Sequence, residues 1–299
     1  MQTSVLFRRL SIVALLVTFG HLLFGNIVSG TDSGMGCGPY WPLCQGQLFP
    51  PLTDPALVIE WTHRLFAVLV GLSILATTLV AWRHERRFLG LAATSFVLVV
   101  VVGILGGITV LLELHKAIST AHFALGTLLF ALLVVLATKA YTKSEQPFDA
   151  PRGLHRWALA SVILIYLQAV LGAYVRHSQA GMALPLWPFL TFFPNLAVSP
   201  IAHQWSHRLL ALIVLGVVSL VATRAIRAGY PALGIGSLAL VLIQIALGVL
   251  TVWTRLNPVM AMLHLAGALG LLGLQIVLVV RSWPSPEKIS SRAPAGEAL

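Results

Sequence analysis

The sequence predicts an all-α integral membrane protein of eight transmembrane helices, arranged as two tandem, pseudo-symmetric four-helix bundles. Three observations carry this expectation. Of 299 residues, 58% are hydrophobic and only 9% are charged, whereas a water-soluble chain carries roughly 25% charged side chains. Apolar stretches long enough to cross about 30 Å of hydrocarbon recur eight times. The two halves of the chain, laid over each other, match at their most polar points.

The spans read at 10–30, 61–82, 88–112, 117–138, 157–175, 205–223, 231–253 and 259–280. Arg8 and Arg9 before the first resemble the basic start of a signal peptide. Its apolar run is too long for one, however, and no Ala-x-Ala site follows, so a retained helix is expected. The domain limits are an N-terminal half at 1–142, a charged linker at 143–153, a C-terminal half at 154–283 and a tail at 284–299. The tail is polar and rich in Pro and Ser, and is expected to be disordered.

The basic residues set the orientation. With the N-terminus inside, fourteen Lys and Arg fall on the inner side and five (Arg64, Lys116, Arg176, Arg208 and Arg255) on the outer, as the positive-inside rule requires. Trp41, Trp61, Trp187, Trp205 and Trp253 then mark the outer boundary, and Trp82, Trp157 and Trp283 the inner one. The expected location is the plasma (inner) membrane, with both termini cytoplasmic and lipid as the surrounding partner. The net charge of +10 lies in short clusters between spans, so nucleic acid is not an expected partner.

The repeat is written in short matching runs. Glu60-Trp61-Thr62-His63-Arg64-Leu65 lies over Gln204-Trp205-Ser206-His207-Arg208-Leu209, and Gly106-Gly107-Ile108-Thr109-Val110 over Gly248-Val249-Leu250-Thr251-Val252. The second alignment also puts His122 over His264. Each unit has an even number of spans, so the halves run parallel about an axis normal to the bilayer.

Those four histidines are the main functional candidates, because an ionisable side chain inside a span is costly and marks function by default. His63 and His122 lie near the outer ends of the second and fourth spans, and His207 and His264 repeat this in the sixth and eighth. Two imidazoles at one depth on two helices can ligate a haem iron from opposite axial sides. Arg64 and Arg208 follow His63 and His207, where they either pair with haem propionates or snorkel to the interface. His21 has Gln168 as its aligned counterpart, and a core hydrogen bond is expected of it. His203 is read as a solvated loop residue rather than a supporting partner of His207. His84, His115, His155 and His177 fall in loops and receive no role. Cys-x-x-Cys-His, dinucleotide and phosphate-binding motifs are absent.

The halves differ in two chemical respects. Glu60, three residues before His63, is matched by Gln204, which cannot titrate. Beside a haem pocket a carboxylate relays protons or stabilises a developing cation; alternatively it only complements the helix dipole. Cys37 and Cys44, the only cysteines, lie in the first outer loop in an oxidising compartment, where a disulfide is expected. Closing so short a loop contributes roughly 2.5 kcal/mol, so a redox or loop-shaping task is as credible as stabilisation. The asymmetry suggests that the first half does chemistry and the second supports it with a permanent cofactor.

Taken together, Glu60-x-x-His63-Arg64, its echo His207-Arg208, His122, His264, the Cys37…Cys44 loop and the Gly172-x-x-Val175-Arg176 run resemble the haem A synthase family across nearly all of residues 5–282. The resemblance implies a membrane oxidoreductase that converts the C8 methyl of haem O to the formyl of haem A for terminal oxidases. It implies a bis-His haem b on His207 and His264, and substrate haem O flanked by His63 and His122, with Glu60 as a pocket carboxylate. Implied partners are haem O, the enzyme that makes it and an unidentified electron donor. Family members often carry a second cysteine pair in the third outer loop, and this chain has none there. The competing expectation is a dihaem b-type cytochrome exchanging electrons with quinone, which predicts equivalent pockets and is disfavoured by the Glu60/Gln204 difference. A transporter with intramembrane histidines would bind no haem.

Overall fold

In a computed structural model, residues 3–142, 153–185 and 195–284 are described. The expected linker and tail, save Gly153 and Pro284, lie outside these residues, as does Trp187. Among the described residues, eight helices are long and apolar enough to span a membrane. They are α1 (Val5–Gly30), α2 (Pro55–His84), α3 (Leu89–Leu111), α4 (Lys116–Tyr141), α5 (Leu154–His177), α6 (Ser199–Arg227), α7 (Pro231–Trp253) and α8 (Pro258–Ser282).

The helices α2 and α6 start well before the apolar runs that announced them, because their first turns are polar and built to begin a helix. Asp54 caps α2, its side chain accepting from Ala56 N–H at 3.1 Å with Pro55 in the first turn. Pro200 sits in the first turn of α6, where its missing N–H costs nothing. Asn257 caps α8 by accepting from Val259 N–H at 3.0 Å.

Two closed rings of helices result. The contacts run α1–α2–α3–α4 and back to α1, and again α5–α6–α7–α8 and back to α5. The rings meet where α1 touches α8 and where α4 touches α5 and α8. All even-numbered helices run one way, so one end of the molecule carries the disulfide and the longer loops, and the other the start of α1 and the end of α8.

Packing differs sharply between these ends. The tightest clusters, Phe7, Ile74, Leu133 and Leu136 in the first ring and Leu154, Val221, Ala225 and Leu278 in the second, lie toward the termini end. A third cluster, including Phe130, Ile165, Val214, Leu269 and Leu272, seals the seam between the rings. Within the second ring Gln275 is fully buried, bridging Ser161 Oγ at 2.7 Å and Ser237 Oγ at 2.8 Å, polar glue of the kind that holds helices together in lipid. Outward-facing residues such as Leu16, Val97, Ile163 and Ile235 are exposed, which suits a hydrocarbon surround.

Two loops at the disulfide end share an unusual backbone. Glu113 and Leu114 have φ of 49° and 61°, and Arg255 and Leu256 have 54° and 63°. Each such left-handed residue costs about 1 kcal/mol or more without glycine. The cost is offset locally. Leu114 N–H donates to Thr109 O at 2.9 Å and Leu256 N–H to Thr251 O at 2.8 Å. The leucines then press on glycines of the neighbouring loops: a Cβ on Gly34 would stand 3.1 Å from Leu114 Cδ1, and one on Gly181 3.0 Å from Leu256 Cδ1.

Candidate functional site

The four histidines lie toward the disulfide end, and all four are half-buried inside their spans. Each lays its ring on a glycine of the adjacent helix. A Cβ on Gly25 of α1 would stand 3.1 Å from His63 Cε1, and one on Gly106 of α3 would stand 3.0 Å from His122 Cε1. In the second ring a Cβ on Gly172 of α5 would be 2.9 Å from His207 Cε1, and one on Gly248 of α7 3.1 Å from His264 Cε1. Gly107, beside Gly106, takes the indole of Trp41 from the disulfide loop, so close that a Cβ would overlap it at 2.5 Å.

How each ring is held differs within the pairs. His122 Nδ1 is 3.1 Å from Val102 O and His264 Nδ1 is 3.1 Å from Gln244 O. A carbonyl only accepts, so these contacts place the proton on Nδ1 and leave the Nε2 lone pair for a metal, the usual arrangement of a ligating histidine. Gln244 also donates its amide N–H to His264 O at 2.6 Å. The Gln168 amide nitrogen is 3.3 Å from His207 Nε2 and donates to His207 O at 2.9 Å. By contrast His63 is held by rings: His21 stacks on it at 4.3 Å between centroids with 12° between planes, and Phe24 follows at 6.3 Å and 15°. The buried Nδ1 atoms of His63, His207 and His21 have no hydrogen-bond partner.

His63 has both His21 and His122 within electrostatic range, His122 also has His177, and His207 has His264. Among the described residues no group of three or more His, Cys, Asp or Glu is placed to hold a metal ion by itself. His122 and His264, with carbonyls on Nδ1, turn free Nε2 lone pairs into the bundle, and single imidazoles of this kind suit a metal whose other ligands come from a flat macrocycle. The residues fit haem.

Above the histidines, two polar clamps fix the long loops. Glu60 is buried on α2; its Oε2 accepts from Cys37 N–H at 2.7 Å and its Oε1 pairs with Arg64 Nη2. Arg64 Nη1 donates to Tyr40 O and Leu43 O, both at 2.8 Å. Cys37 and Cys44 are disulfide-bonded and buried against Leu57, with a Cα separation of 4.7 Å. On α6, Gln204 is buried in the same fashion: its Oε1 accepts from Leu184 N–H and its amide donates to Gly181 O at 2.6 Å, while Arg208 Nη2 donates to Leu184 O. The clamps share a plan. They differ in charge.

Several features were not visible in the sequence. His21 makes no core hydrogen bond through Nδ1 and instead stacks on His63. His203 is not a loop residue but lies in α6, edge-on to Tyr174 at 4.8 Å. His177 ends α5 and its Nδ1 meets Thr120 Oγ1 of α4 at 3.0 Å, and Arg176 Nη2 donates to Ser29 O at 2.6 Å, so both tie the second ring to the first. Gly25 and Gly172 could have been paired, since the shift that lays His21 over Gln168 also lays Gly25 over Gly172; nothing in the residue types announced the stacking.

Eight spans, with four half-buried histidines seated on glycines beneath two clamped loops, define a multi-pass membrane protein with imidazoles set inside its spans. Residues 8–276 match the COX15-CtaA family, described as cytochrome oxidase assembly protein, and the chain belongs to that family. It is similar to the haem A synthase of Geobacillus kaustophilus, 34% identical across 93% of this chain and 92% of the relative. The haem A synthases of Geobacillus thermodenitrificans (33%; 91% of each chain) and Lysinibacillus sphaericus (32%; 92% and 96%) are similar to it over comparable lengths.

Proposed function

We propose that the chain is a haem A synthase, oxidising the C8 methyl of haem O to the formyl of haem A for terminal oxidase assembly. The observation that carries the reading is the seating of four imidazoles, two per ring, each on a glycine of the next helix. Similar proteins that bear the name haem A synthase supply the activity.

In this reading the chain is a tandem pair of four-helix units. The matching αL turns at Glu113-Leu114 and Arg255-Leu256 support that division. His207 and His264 would hold a resident haem b, which would supply electron transfer to the oxidation. His63 and His122 flank the substrate haem O. Arg64 and Arg208 place positive charge at the disulfide end, where propionates would lie, while also fastening loop carbonyls. Glu60 orients Arg64 and the Cys37 loop over the first pocket, and its carboxylate would be the acceptor there for protons released as the methyl is oxidised. Gln204 reproduces the tether without the charge, which suits a pocket that keeps its cofactor unchanged. The enzyme sits in the plasma membrane with cytoplasmic termini, receives haem O from the enzyme that makes it and draws on a separate electron donor.

Expression with a source of haem O, followed by extraction and chromatography of total haem, tests the proposal. Haem A should form. Haem b as the only product of several such preparations would reject the synthase reading and leave an electron-transfer cytochrome.

A further inference from the structure

We propose that His21 is a positioning residue that holds the His63 ring by stacking, and that this makes His63 the exchangeable imidazole of the first pair. The inference rests on the assignment of His63 and His122 to one haem.

His122 and His264 each have a backbone carbonyl on Nδ1, Val102 O and Gln244 O, whereas the Gln168 amide reaches His207 at Nε2 and leaves its Nδ1 without a partner. Around His63 the neighbours are faces of rings. His21, Phe24 and Phe66 lie within 12° to 17° of parallel across their recorded contacts with it and with one another, and His21 is the nearest, at 4.3 Å. Gly25, one turn beyond His21 on α1, provides the space into which the His63 edge fits. His63 Nδ1 is buried without a partner.

Stacking and hydrogen bonding do different things to a metal ligand. An acceptor on Nδ1–H fixes the ring and raises its basicity, strengthening the bond from Nε2 to the metal. A stacked ring fixes the plane but leaves basicity unassisted. His63 is therefore oriented as well as its partners yet is the weaker donor, while His122 across the site is anchored by Val102. A pocket that must take up one haem and let go of another needs one firm ligand and one that yields. In the second ring Gln168 stands where the first has His21, and it holds His207 through its amide rather than through a ring face.

The test uses the purified full-length chain, loaded with haem in detergent, with transfer to apomyoglobin followed by absorbance. Two phases are expected, the slow one lost in His264→Ala. In His21→Ala the fast phase should accelerate about tenfold, the lower end of the range for losing a ligand's supporting partner, and its low-spin spectrum should weaken while the slow phase is unmoved. His21→Phe keeps a stacking face without nitrogen and should restore the wild-type rate. An unchanged fast phase in His21→Ala, or a His21→Phe rate equal to that of His21→Ala, overturns the inference. A wild-type protein with no fast phase at all would instead remove the first haem site itself.

Discussion

Glu60 on α2 and Cys37 in the disulfide loop are joined directly, the Cys37 N–H donating to Glu60 Oε2 at 2.7 Å. The one carboxylate near the first histidine pair thus also holds the loop that covers it. Its second oxygen is engaged by Arg64, which in turn binds two loop carbonyls.

Glu60→Gln separates these tasks. An amide oxygen can still accept from Cys37 N–H, as Gln204 accepts from Leu184 N–H on α6, but the charge and the ion pair are gone. Haem content and the low-spin spectrum should be retained and haem A formation lost. Wild-type haem A yield would show that the difference between the halves is not catalytic.

Replacing both Cys37 and Cys44 with serine tests what the disulfide does. Its loss should lower stability by about 2.5 kcal/mol on the loop-closure estimate, with helix content unchanged because eight spans remain. Faster proteolysis between residues 31 and 54 is expected, since Arg64 and Glu60 would then grip a looser loop. Unaltered proteolysis would mean that the clamp alone suffices.

Gly172→Ala should displace the His207 imidazole, because the new Cβ would meet its Cε1 at 2.9 Å. The low-spin haem signal of the second ring should fall several-fold, and a control, Gly216→Ala, with nothing within 4 Å of its Cβ, should leave it intact. Equal spectra for the two variants would show that the seat is not needed.

His264→Ala removes the imidazole anchored by Gln244 and should abolish the low-spin haem b spectrum of the second ring. The same spectrum at full intensity would take His264 out of the ligand set.

Much of the architecture could be read in advance because lipid imposes a strong code. A span must be apolar for its whole crossing, so α7 was found at its observed limits, and the positions of α1 to α8 followed from hydropathy alone. The beginnings of α2 and α6 were missed because Asp54, Pro55 and Pro200 extend those helices into polar sequence. The histidines were legible because four costly side chains recur at matching places. Their supports were not: a stack such as His21 on His63 joins residues far apart in the chain, and neither residue's type foretells it. The bond from Cys37 N–H to Glu60 was equally hidden, since a backbone donor leaves no mark in a sequence.

The dense packing around Phe7, Ile74, Leu133 and Leu136 has a bearing on traffic. It closes the floor of the first bundle, and Leu154, Val221 and Leu278 help close that of the second. The end of the molecule away from the disulfide is thereby sealed in both bundles, so a bulky pigment would be loaded or discharged on the disulfide side.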